Sequence, residues 1–187
     1  IWHYISSQRD SMGDRNRSID EGEQVMKAGH VLYCYVKDHN LTNKTFELSS
    51  NLNVVQTGLL ISVREPFLAC SPDGVFVASD NPLQLLEIKC SFVCSDVSVC
   101  EAIKTKKLKY LVTDGENITL KKNDCTGYYA QVQFALYVLD LDRAAFYVYS
   151  PCGSVELWVE RDDEFIRDMV CQLKLFYFPH LLPLLHK

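Results

Sequence analysis

SPDGVFVASDNPLQLLEIKC, residues 71–90, decides how this chain is read. Pro72-Asp73-Gly74 is a turn signal. Val75 to Ala78 follows with the β-branched and aromatic character of a strand. Asp80-Asn81-Pro82 breaks that run, and Gln84 to Lys89 forms a second strand rich in Leu and Ile. Side chains alternate along a strand, so Glu87 and Lys89 share one face. Leu86, Ile88 and Cys90 share the other, which is predicted to face the core. If the strands pair as a hairpin, Asp73 starts the first strand beside the end of the second. Two carboxylates and an ammonium then meet at one place.

That cluster suits a divalent cation held by Asp73 and Glu87. Hard oxygen ligands favour Mg²⁺ or Mn²⁺. Lys89 would orient or help deprotonate a metal-bound water. By itself a Glu-x-Lys on a strand also reads as an exposed ion pair, worth about 0–1 kcal/mol. An Asp-Gly at a strand start also reads as a plain turn. The combination carries the weight: Pro-Asp and Glu-Ile-Lys across a hairpin, the two acids 14 positions apart.

These residues resemble the PD-(D/E)xK nuclease signature. More narrowly, they resemble the YqaJ-type viral recombinases related to phage lambda exonuclease. Gly58-Leu59 through Phe67-Leu68-Ala69 resembles that family's lead-in strand. Tyr128-Tyr129-Ala130-Gln131-Val132-Gln133 resembles its glutamine helix. Phe146 to Pro151 resembles the strand that follows, and Phe176-Tyr177-Phe178 the closing helix. The resemblance covers roughly residues 22–184. It implies an α/β fold with a restriction-endonuclease-like core, a central mixed β-sheet flanked by helices. It also implies a metal-dependent DNA exonuclease with Asp73, Glu87, Lys89 and Gln131 as catalytic residues. The Ile88 carbonyl would join Asp73 and Glu87 as a metal ligand. Tyr128 would lie beside Gln131 at the DNA. The implied partners are double-stranded DNA ends, a single-strand annealing recombinase and further copies of the chain.

One position departs from the family pattern. Ile19 to Val36 reads as a helix on which the family carries a metal-facing Glu, four residues after a Gly. Aligning on Gly22 puts Met26 there, a poor ligand for a hard cation. Glu23, nearly one turn away, replaces it only if the register shifts. The chain therefore also reads as a catalytically impaired, nuclease-derived DNA-binding module.

The 187 residues suit a single domain, 1–187, whose first 18 residues match the family poorly. Net charge is −5, with 19 Lys and Arg against 24 Asp and Glu, so no overall charge announces a nucleic-acid binder. The basic concentration is local: Lys104, Lys106, Lys107, Lys109, Lys121 and Lys122. The first four are candidates for phosphate contact, and a solvated helix and hairpin face is the alternative. Eight cysteines are scattered without metal-site spacing. Cys34, Cys70, Cys90 and Cys171 fall in apolar runs and are predicted to be buried thiols. No stretch approaches the ~20 apolar residues of a membrane span, and the expected setting is a reducing intracellular compartment.

Tyr128 to Leu139 is predicted as a helix with Val132, Leu136 and Leu139 inward. Tyr128 and Gln131 share a face. Gln133 lies about 200° round from Gln131, so one of the two must point elsewhere. Ala144 to Tyr149 and Val155 to Glu160 are predicted to pair. A last helix runs from Asp162 to Phe178 and ends at Pro179.

Overall fold

The computed structural model describes residues 53–78, 81–115 and 117–185. The expected helix over 19–36, with Gly22, Glu23 and Met26, lies outside them, as does the strand expected near Thr45 to Leu48. In chain order the strands are β1 (Asn53–Val55), β2 (Leu60–Ile61), β3 (Ala69–Cys70), β4 (Gly74–Ala78) and β5 (Asn81–Cys90). After a 3₁₀ turn (Phe92–Cys94) come α1 (Val99–Lys104), β6 (Leu111–Asp114), β7 (Asn117–Leu120) and α2 (Tyr128–Leu139). β8 (Arg143–Tyr149), β9 (Val155–Glu160) and α3 (Asp163–Phe176) follow. A π-helical turn (Tyr177–Leu181) and α4 (Leu182–Leu185) close the chain.

The predicted hairpin forms: β4 and β5 pair antiparallel, with Gly74 opposite Leu86 and a bulge between Phe76 and Val77. It is the centre of a five-stranded mixed sheet ordered β1-β4-β5-β8-β9. β5 and β8 are parallel, Glu87 lying opposite Phe146 and Lys89 opposite Val148. A parallel pair needs a long crossover. Here that crossover carries α1, the β6–β7 hairpin and α2, which is how a helix remote in sequence reaches β5.

Both sheet faces are buried. Leu85, Ala144, Phe146 and Val148 pack with α1 and α2 in one cluster. Phe76, Leu86, Ile88, Ala145 and Tyr147 build a second. Strand alternation puts Glu87 and Lys89 on the same face as Leu85. The Leu86/Ile88 face meets a core as expected, and the opposite face is buried as well. The acidic face of β5 lies under the helices.

Gly74 is required by proximity, not by its dihedral angles. A Cβ built there would sit 2.6 Å from Cγ1 of Val54 on β1. Gly127, by contrast, has φ +70 at the N-terminus of α2, a conformation that L side chains rarely adopt. It swings the chain into the helix after a turn in which Asp124 Oδ1 accepts from the Thr126 amide at 2.8 Å.

α2 is buried around more of its circumference than the predicted stripe. Val132 and Leu136 are fully enclosed, and so is Gln133. The Gln133 amide donates to the Glu160 carbonyl (2.8 Å) and accepts from the Asp162 amide (2.9 Å). It ties α2 to the β9–α3 junction, so Gln133 is the glutamine that points away from Gln131. Asp162 caps α3 through the Phe165 amide at 3.1 Å. Its other oxygen accepts from Lys122 (2.6 Å) and from the Tyr129 hydroxyl (2.8 Å).

Pro179 does not end the helical path. It sits inside the π-helical turn, and helix resumes at Leu182. The wider turn accommodates a ring that an α-helix interior excludes. Phe67 stacks on Tyr177 with centroids 4.5 Å apart and anchors this segment. The thiols also differ from expectation. Cys70 and Cys90 are half-buried, Cys171 is exposed, Cys94 is the buried one, and Cys34 lies outside the described residues.

Gly74→Ala is expected to destabilise the protein by about 1–3 kcal/mol in urea unfolding, the usual cost of overpacking. Because Val54 is the clashing group, Gly74→Ala with Val54→Ala should lose less than the sum of the two single changes.

The Lys122 ammonium, the Phe165 amide and the Tyr129 hydroxyl pull the Asp162 carboxyl down to about 2, from an ordinary 3.8. Its stabilising effect is present above pH 3.8 and is lost as pH falls toward 2. Acid unfolding of Asp162→Asn should therefore show a shallower dependence on pH in that window.

Candidate active site

β4 stops at Gly74, opposite Leu86, so β5 runs on past its neighbour. The Asp73 side chain takes over: its Oδ2 accepts the Ile88 amide at 2.7 Å. On a strand the N–H and C=O of one residue point to the same side, so the Ile88 carbonyl also faces Asp73. Asp73 and Ile88 are thus locked together by a contact that continues the ladder.

On the helix-covered face Glu87 is only 2 % exposed. Lys89 Nζ forms an ion pair with Glu87 Oε1. From the first turn of α2, Gln131 Nε2 donates to that same oxygen at 2.7 Å. Gln131 Oε1 in turn accepts from Lys89 at 3.2 Å. Glu87, Lys89 and Gln131 therefore close a triangle, with Asp73 beside it. Asp73, Glu87, Ile88, Lys89 and Gln131, named from sequence, all meet here.

Burial first, then the neighbouring Asp73 charge, pushes the Glu87 carboxyl up to about 7, against the pull of Lys89 and Gln131. Burial, with a contribution from Glu87, also raises the nearby Cys70 thiol, to about 12. Two acids side by side, one of them buried, form a pair whose repulsion a divalent cation relieves. The donor set of two carboxylates and one carbonyl is oxygen-only, as Mg²⁺ or Mn²⁺ requires. Among the described residues no cluster of three or more His, Cys, Asp or Glu occurs.

Tyr128 occupies the same end of α2. It is half-buried, its ring under Lys89 and against Tyr110 and Phe146. Lys104, Lys106, Lys107 and Lys109 are exposed on the end of α1 and the loop after it. No salt bridge holds them among the described residues, and none of the four joins the triangle. Lys122, from the same basic stretch, is committed to Asp162.

Tyr110 was not legible as part of the site. It sits in KKLKYL, a run that reads as a solvated basic surface, yet Leu108, Tyr110 and Leu111 are buried. The apolar positions between lysines were the available signal.

A mixed sheet with two acids and a lysine at the open end of its central hairpin is the restriction-endonuclease-like core. The chain belongs to the YqaJ-like viral recombinase family, whose domain matches residues 37–142. No curated protein sequence matches it. Solved structures that share its fold include two of an alkaline exonuclease from Laribacter hongkongensis, one of them in complex with dAMP. Each is 18 % identical, with a TM-score of 0.54 over 75 % of this chain. The aligned region spans 63 % of the length of each exonuclease chain.

In the metal-free protein, ¹³C NMR of the glutamate carboxyls should find Glu87 titrating near pH 7, far above the exposed glutamates. Removing the Lys89 charge (Lys89→Met) should raise that midpoint further, and Asp73→Asn should lower it. The folded value exceeds the unfolded one, so the stabilising effect of the bound proton is full below about pH 4.5 and lost as pH rises through 7.

Proposed function

We propose that this chain is a metal-dependent deoxyribonuclease that digests linear duplex DNA from its ends. The observation that carries the proposal is the buried Glu87 carboxylate, bonded by both Lys89 and Gln131 and standing beside the charge of Asp73. A protein does not bury a carboxylate beside a second acid without an electrostatic cost. A functional cation and an attacking water give that cost a purpose.

Asp73, Glu87 and the Ile88 carbonyl would hold Mg²⁺ or Mn²⁺. When bound, such an ion supplies an activated water at neutral pH and stabilises charge developing on the phosphate. The chain's own groups supply direction. Lys89, fixed between Glu87 and Gln131, offers N–H donors to the water or to a phosphate oxygen. Gln131 holds Lys89 and Glu87 in register and reaches the same space. Tyr128 borders it. Lys104, Lys106, Lys107 and Lys109 are free to meet the DNA backbone, each neutralised phosphate adding salt-dependent affinity. The local placement of these charges matters more than the overall −5.

Support comes from membership of the viral recombinase family and from the shared fold of an alkaline exonuclease. Family membership alone supports two further parts of the proposal. One is hand-over of the exposed strand to a single-strand annealing recombinase. The other is assembly into a homo-oligomer.

With Mg²⁺, wild-type protein should release nucleotides from linear duplex and leave covalently closed circles intact. A chelator should stop release. Asp73→Ala and Lys89→Ala should each lower the rate by about 10²-fold or more, the range for losing a group that acts on the reacting atoms. Equal release by all three proteins overturns the proposal. Binding of DNA without cleavage points instead to a nuclease-derived binding module.

A further inference from the structure

Lys89 must do more than sit near the carboxylates. A lysine stem rotates about four carbons, and attraction to Glu87 alone does not set its direction. In the proposed reaction the Glu87 carboxylate also serves a cation, which weakens its hold on the ammonium. The Gln131 amide oxygen, 3.2 Å away, is then one neutral partner for Lys89, and a second would fix its direction.

The structure contains that element. Lys89 Nζ stands 4.7 Å from the centroid of the Tyr128 ring. This lies within the range at which the negative face of an aromatic ring attracts an ammonium. The ring is itself held. Tyr110 meets it edge-on, 4.9 Å between centroids at 82°. Phe146 lies 6.1 Å away at 45° and also contacts Tyr110, at 6.3 Å and 70°. Phe146 is fully buried and Tyr110 is 6 % exposed, so the support is rigid. Among the described residues the buried Tyr110 hydroxyl has no hydrogen-bond partner, and Tyr110 meets Tyr128 and Phe146 through its ring. Phe146 lies directly opposite Glu87 in the sheet, which makes the aromatic stack continuous with the strand that bears the acid.

We infer that Tyr128 is a positioning residue for Lys89, acting through its ring face, and that Tyr110 sets the tilt of that ring. This assigns Tyr128 a task distinct from contacting DNA. Its catalytic consequence rests on the nuclease proposal, whereas the contact itself does not. Gln131 and Tyr128 then hold Lys89 from one helix, three positions apart, and a single helical turn sets the ammonium's direction.

The experiment has two arms. In the first, NMR of metal-free protein follows the ε-methylene protons of Lys89, assigned by their loss in Lys89→Arg. In wild type they should lie upfield of the exposed lysines because of the ring current. Tyr128→Phe should keep the displacement and Tyr128→Leu should abolish it. In the second arm, Mg²⁺-dependent digestion of linear duplex is measured. Tyr128→Leu should lower kcat roughly tenfold with KM little altered, and Tyr128→Phe should recover to within about threefold of wild type, since the attraction needs the ring and not the hydroxyl.

Unshifted Lys89 protons in wild type overturn the inference. So does a Phe variant as impaired as the Leu variant, or a rise in KM with kcat preserved, which marks a DNA contact. If Tyr128→Leu loses its near-UV circular dichroism, Tyr128→Met provides the same comparison. A wild type that digests nothing removes the nuclease proposal and leaves the NMR arm to decide the contact.

Discussion

The buried carboxylate of Glu87 is the constraint on which the surrounding structure depends. An acid taken out of water demands partners. Lys89, two residues along the same strand face, supplies charge. Gln131 supplies an amide, but only if α2 crosses β5 with its first turn over that spot. Gly127 makes the sharp entry into α2, and the enclosed Gln133 fixes the helix from its far side through Glu160 and Asp162. Two glutamines, two positions apart on one helix, thus have opposite duties. One binds the helix to the scaffold and the other faces the acid.

Asp73 works through a different device. It stands just before the first residue of β4, and it replaces a missing backbone partner for Ile88. The sheet can therefore open beside β5 without leaving that amide unpaired. Beside it Gly74 lets β1 come close, its missing Cβ making room for Val54.

Much of this was legible in the chain because it is local. Turn residues at Pro72-Asp73-Gly74, period-two alternation and a β-branched run were enough to place the hairpin. The helix over 128–139 followed from spacing. Three features were not legible. Burial of both faces of β5 depends on helices delivered from elsewhere, and the alternation pattern says only which side chains share a face. The burial of Tyr110 depends on Tyr128 and Phe146, neither near it in sequence. The course past Pro179 depends on the stacking of Phe67 on Tyr177, which favours continued helix where local rules predict a stop.

The wide gap in sequence between the two halves of the site bears on how the molecule assembles. Asp73 and Ile88 are separated by 15 residues in one hairpin, whereas Gln131 meets Glu87 across 44. Short loops close sooner and at lower entropic cost than long ones. Chain order therefore brings the acids together before the amide that helps balance them has arrived. Through that interval their mutual repulsion is eased chiefly by the adjacent lysine, by protonation, or by an ion taken from solution.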